Sequence, residues 1–102
     1  MVDTAMYEIL EQHDVEQGWS FDAQAIDGDT GELRRFTLRL AWSDYNRWSP
    51  DGADRPSAVA EAVVAFALRQ LDTGVFPVVI DSERLRREHR EADKAIPGLI
   101  QR

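Results

Sequence analysis

The chain has 102 residues, no cysteine and a formal charge of −7. That length suits one modest hydrophobic core, and the missing thiols exclude disulfides, thiolate chemistry and sulfur-ligated metal. Net negative charge repels phosphate backbones and argues against nucleic acid as a partner.

The charge is unevenly placed. Residues 1–33 hold nine acids and no Lys or Arg, whereas residues 34–102 hold twelve bases and ten acids. The opening "MVDTAMYEIL" has neither a basic start nor a long apolar run, so no secretory signal is expected. Nowhere do about eighteen apolar residues follow one another, so no membrane span is expected and the location should be cytoplasmic. Eleven arginines against the single Lys94 hint at a GC-rich bacterial genome.

In chain order, "MYEILEQH" (6–13) fits both periods: Met6, Ile9, Leu10 and His13 suit a helix, while Tyr7 and Ile9 flank Glu8 as in a strand. A strand is expected, ended by Gly18, because a sheet needs a third member beside the two that follow. "WSFDAQAI" alternates Trp19, Phe21, Ala23 and Ala25 with polar residues. "LRRFTLRLAW" does the same with Phe36, Leu38, Leu40 and Trp42. Both read as antiparallel strands with one wet face, joined by the hairpin loop "DGDTGE". Asp22 and Glu32 are expected to pair with Arg35 and Arg39 across the strands. Trp42 should lie in the core beside Trp19.

Ser43 reads as an N-cap with Asp44 in the first turn, giving a short helical turn over Tyr45–Trp48. Pro56 suits the first position of a long helix over 56–72, apolar on a wide face and stopped by Gly74. "VFPVVI" reads as a short edge strand, limited by Pro77. Ser82 should cap a last, charged helix with Leu85, His89, Ala92 and Ile96 as its seam, ended by Pro97–Gly98. The expected fold is a single two-layer α+β domain over 1–102. It comprises a three-stranded antiparallel meander, a long apolar helix, a short edge strand and a charged C-terminal helix. The pattern "GWSFDAQA…RRFTLRLAWSDYNRW…PSAVAEAVVAFAL" resembles that of small hypothetical bacterial proteins of about this length; the resemblance covers most of the chain and carries no activity.

Patterns that suggest chemistry dissolve on inspection. "DTG" occurs at 29–31 and 72–74, but aspartic proteases need two carboxylates about 3 Å apart on an all-β scaffold. Here one copy falls in a hairpin loop and the other ends a helix. "DGDTGE" lacks the carboxylate positions of a calcium loop. His89 and Asp93 stand i, i+4 without a third ligand, so no metal or other cofactor is expected. No serine has a nucleophile-elbow setting, and no enzyme activity is expected.

Three readings of function remain. The leading one is a non-enzymatic interaction module, a homodimer or the binder of another protein, using helix 56–72 or the corner at Tyr45 and Trp48. The second is a small-molecule pocket near Trp42, Tyr45, Trp48 and Arg39. The third is nucleic-acid binding through Arg84, Arg86, Arg87 and Arg90, although Glu83, Glu88, Glu91 and Asp93 interleave with them as on a salt-bridged, solvated face.

Overall fold

The computed structural model describes residues 7–27, 30–70 and 77–101. In chain order they form β1 (Tyr7–Val15), β2 (Gly18–Ile26), β3 (Leu33–Ala41), α1 (Trp42–Trp48), α2 (Pro56–Arg69), β4 (Val79–Asp81), α3 (Ser82–Glu88) and α4 (Ala92–Leu99). The fold is α+β, with a mixed sheet in the order β1-β2-β3-β4. The first three strands pair antiparallel, and β4 returns parallel to β3 with Ile80 beside Leu38.

Burial follows the alternation. Phe21, Ala23, Ala25, Phe36, Leu38, Leu40 and Ile80 turn to one face and are buried, while Asp22, Gln24, Arg35 and Arg39 turn to the other. Helix α2 packs on α4 and reaches β1 and β3. Its Val59, Val63, Val64 and Phe66 are at most 3% exposed. Each such side chain contributes roughly 1.5–3 kcal/mol of transfer free energy. The wide apolar stripe of α2 is therefore used inside the molecule, between sheet and helix. This corrects the expectation that the helix offers a surplus face to a partner.

β1 is a strand, as expected, but Gly18 does not end it. The chain turns at Glu16–Gln17, with Gln17 at φ 64°, and Gly18 opens β2. A Cβ on Gly18 would lie 2.3 Å from the Leu40 carbonyl oxygen, so β2 and β3 approach closely there only because that atom is missing. A β-bulge interrupts the β1–β2 register between Ile9 and Glu11. Before it, Tyr7 and Ile9 face the core opposite Ala25 and Ala23; after it, Glu11 stands opposite Asp22 and His13 opposite Ser20, on the outer face.

The helices depart from expectation at their ends. α1 begins at Trp42 after Ala41, without a side-chain cap from Ser43. Asp81, not Ser82, caps α3, accepting a hydrogen bond from the Glu83 N–H at 3.0 Å. The expected last helix is two. His89 adopts extended backbone with its ring edge-on to Phe66, the centroids 6.0 Å apart. The break lets Leu85 on one helix and Ala92 and Ile96 on the other all reach the core. Pro97 lies inside α4 rather than beyond it. Gly74, the second "DTG" and part of the first lie outside the described residues.

Candidate interaction surface

Two places concentrate polar chemistry: a buried joint between helices and strand, and the uncovered face of the sheet. The joint grows from the i, i+4 spacing of Asp44 and Trp48, which puts both on the inner side of α1. Asp44 is fully buried. Its carboxylate accepts the Ser82 hydroxyl proton at 2.6 Å and a guanidinium N–H of Arg86 at 3.0 Å. Ser82 Oγ in turn accepts the Ala41 N–H at 3.1 Å, which ties α1 and α3 to the end of β3. Asp93 on α4 accepts from Arg86 Nε at 3.1 Å and from the Trp48 indole N–H at 2.9 Å.

The Ser82 hydroxyl is thus committed on both sides, its proton to a carboxylate and an acceptor site to the backbone. Among the described residues no buried side-chain polar atom lacks a partner. This is the arrangement of a structural joint. Partial burial of Asp93 works against its charged form but is outweighed by the hydrogen bonds from Trp48 and Arg86, which hold its pKa below the usual carboxylate value. A depressed pKa contributes stability above the unfolded-state pKa, about 3.9, and loses it as pH falls through the lower folded value. Acid titration of the thermal midpoint is therefore expected to fall below about pH 4, and to fall less in Asp93→Asn; equal slopes would remove Asp93 from the acid response.

The aromatic cluster is distributed differently from its sequence reading. Trp48, offered by the sequence as part of an interacting corner with Tyr45, is 1% exposed. Trp42, expected in the core beside Trp19, is 51% exposed. The chain becomes helical at Trp42, so the strand alternation that predicted an inward side chain no longer applies. Trp19 instead meets Tyr45 edge-on, centroids 5.2 Å apart. The half-buried Tyr45 donates its hydroxyl proton to the Asp54 carbonyl, fastening the loop before α2. Arg39 lies on the outer sheet face, beside an open hollow of about 400 Å³ that also touches Gly18, Trp19, Asp81 and Glu83. Trp42, Tyr45, Trp48 and Arg39 therefore do not surround one pocket.

The four arginines likewise separate. Arg86 is turned inward to Asp44 and Asp93, and Arg84 pairs with Glu88 at 2.9 Å, which leaves Arg87 and Arg90 exposed beyond them. No four-arginine patch faces outward. The expected cross-strand pairs are replaced too: Asp22 lies 3.2 Å from His13, and Glu32 3.2 Å from Arg34. His89 and Asp93 do not share a helix.

The outer sheet face is read in rows across the strands. His13, Ser20, Arg39 and Asp81 form one row; Glu11, Asp22, Thr37 and Val79 the next; Glu8, Gln24 and Arg35 a third. Gln24 donates to Glu8 at 3.0 Å. Acids collect on β1 and β2, and the arginines Arg35 and Arg39 on β3. The exposed apolar residues Ile26 and Leu33 stand opposite each other at the hairpin end of this face.

Among the described residues no helix is long and apolar enough to cross a membrane. Comparison with protein-family models, curated proteins and solved structures finds no match.

Proposed function

We propose that the chain is a non-enzymatic protein-interaction module that self-associates through the uncovered face of its sheet. The observation that carries this reading is the placement on that face of acids on β1 and β2 and of Arg35 and Arg39 on β3, the latter beside Asp81 of β4. A two-fold axis parallel to the strands brings the β1 side of one copy over the β3 side of the other, so Glu8 meets Arg35 twice. Exposed pairs of this kind contribute roughly 0.2–1 kcal/mol each, and Ile26 and Leu33 add apolar area. The resulting dimer is weak and salt-sensitive, because charges on an open face are screened over about 10 Å at 0.1 M salt.

Molar mass by size exclusion with light scattering tests this. A dimer is expected at low salt that dissociates as salt is raised. Reversal of the basic side, Arg35→Glu with Arg39→Glu, should abolish it. Adding Glu8→Arg to the reversed chain should restore part of it. A monomer at every concentration and salt would overturn the reading, as would a dimer indifferent to both.

A further inference from the structure

We propose that Glu11, His13 and Asp22 form a binding site for a divalent transition-metal ion on the uncovered face of the sheet. The three donor atoms all lie within 4.8 Å of one another. His13 Nε2 is 3.2 Å from Asp22 Oδ2 and 3.8 Å from Glu11 Oε1. A tetrahedral ion bonded at about 2.1 Å holds its ligand atoms about 3.4 Å apart. The two measured spacings bracket that value, and small rotations of the carboxylates close the set. The side chains are 46–68% exposed, so an ion has direct access.

The bulge in β1 assembles the trio. In an unbroken strand Glu11 and His13 would share the face of Tyr7 and Ile9, on the opposite side of the sheet from Asp22. The register shift between Ile9 and Glu11 brings them across. Solvation alone does not explain it: the shift exchanges Glu11, His13 and Val15 for the equally polar Gln12 and Asp14 on the inner side, and leaves Val15 exposed outside. Bulges commonly re-aim side chains next to functional sites. The backbone of two paired strands then fixes the three side-chain origins, so little ordering remains for binding to impose.

The donor set names the class of ion. One imidazole nitrogen with two carboxylates suits Zn²⁺, Co²⁺ or Ni²⁺, whereas Mg²⁺ and Ca²⁺ take oxygen ligands. Three protein donors leave at least one coordination position for water or an incoming anion.

The test uses the untagged full chain in high salt, where the self-association proposed above is suppressed and its failure does not bear on the result. Co²⁺ is followed by its ligand-field absorption and Zn²⁺ by calorimetry. Saturation at one ion per chain is expected, unaffected by Mg²⁺ or Ca²⁺ at equal concentration. His13→Ala should weaken binding by more than about tenfold, since even partners outside the ligand set cost 10–100-fold. Glu11→Gln with Asp22→Asn should do the same with the imidazole retained, while Glu8→Gln, on the same face outside the trio, should change affinity by less than about twofold. Circular dichroism establishes that each variant is folded. Absence of saturable binding, equal affinity in His13→Ala, or displacement by Ca²⁺ or Mg²⁺ at equal concentration would overturn the proposal.

Discussion

Asp44→Ala is expected to lower the unfolding free energy by about 3–5 kcal/mol, read as a reduced urea midpoint at unchanged slope. Asp44 is fully buried and holds two partners, Ser82 at 2.6 Å and Arg86 at 3.0 Å. Removing it deprives the hydroxyl of its acceptor and leaves a partly buried guanidinium with Asp93 alone. The desolvation of each group remains while its compensation is lost. Arg86→Met approaches the same joint from the other side and leaves a buried carboxylate facing only a hydroxyl, so a loss of similar size is expected. Asp44→Asn keeps the shape and one acceptor and should cost less than either. A loss below about 1 kcal/mol in Asp44→Ala would mean that the joint is dispensable, the usual result for an exposed ion pair.

Trp48→Ala is expected to cost as much or more. Among the described residues Trp48 is the largest fully buried side chain, and truncation of a buried Phe or Trp costs about 3–5 kcal/mol through lost transfer and an unfilled cavity. Against a total of roughly 5–15 kcal/mol for a domain, that leaves little folded chain at elevated temperature. Trp48→Phe separates packing from hydrogen bonding: it keeps most of the volume and loses the N–H to Asp93, for about 1–2 kcal/mol. Fluorescence gives a second readout. With Trp42 half-exposed, Trp19 partly buried and Trp48 fully buried, Trp48 contributes most to the short-wavelength side of the emission, which should weaken and shift to longer wavelength in Trp48→Phe. An unchanged spectrum would contradict the buried position.

Much of the sheet was legible because its signal is local. Phe21, Ala23 and Ala25, and Phe36, Leu38 and Leu40, announce strand and facing by alternation, and all six are buried as the pattern requires. Pro56 likewise marks the start of α2 by its own backbone restriction. What was not legible depends on contacts distant in sequence. Asp44 reads as a solvated first-turn acid until Arg86 and Ser82 are brought to it from α3. Trp42 lies outside the core because the change from strand to helix at residue 42 alters the period that assigns its face. The grouping of His13 with Asp22 is not local in sequence, because Asp22 reaches His13 only through strand pairing. The one local trace was His13 two residues from Glu11, and the bulge that turns both toward Asp22 leaves no residue signature. The break at His89 was hidden for a related reason: the charged run 83–95 has helical composition throughout, and the core, not propensity, dictates the interruption.

The parallel return of β4 governs the order in which the fold closes. The meander assembles through short hairpin connections, whereas Ile80 must find Leu38 about forty residues later, at a loop-closure cost that grows with the logarithm of that length. The joint has the same long reach, since Ser82 and Arg86 meet Asp44 and Asp93 meets Trp48 only after that return. By their sequence separation these contacts are expected to form late in folding, so their weakening should accelerate unfolding more than it slows folding, as paired folding and unfolding rates of Asp44→Ala would show. The C-terminal segment thus acts as the latch of the molecule, and its release sets how long a folded copy lasts.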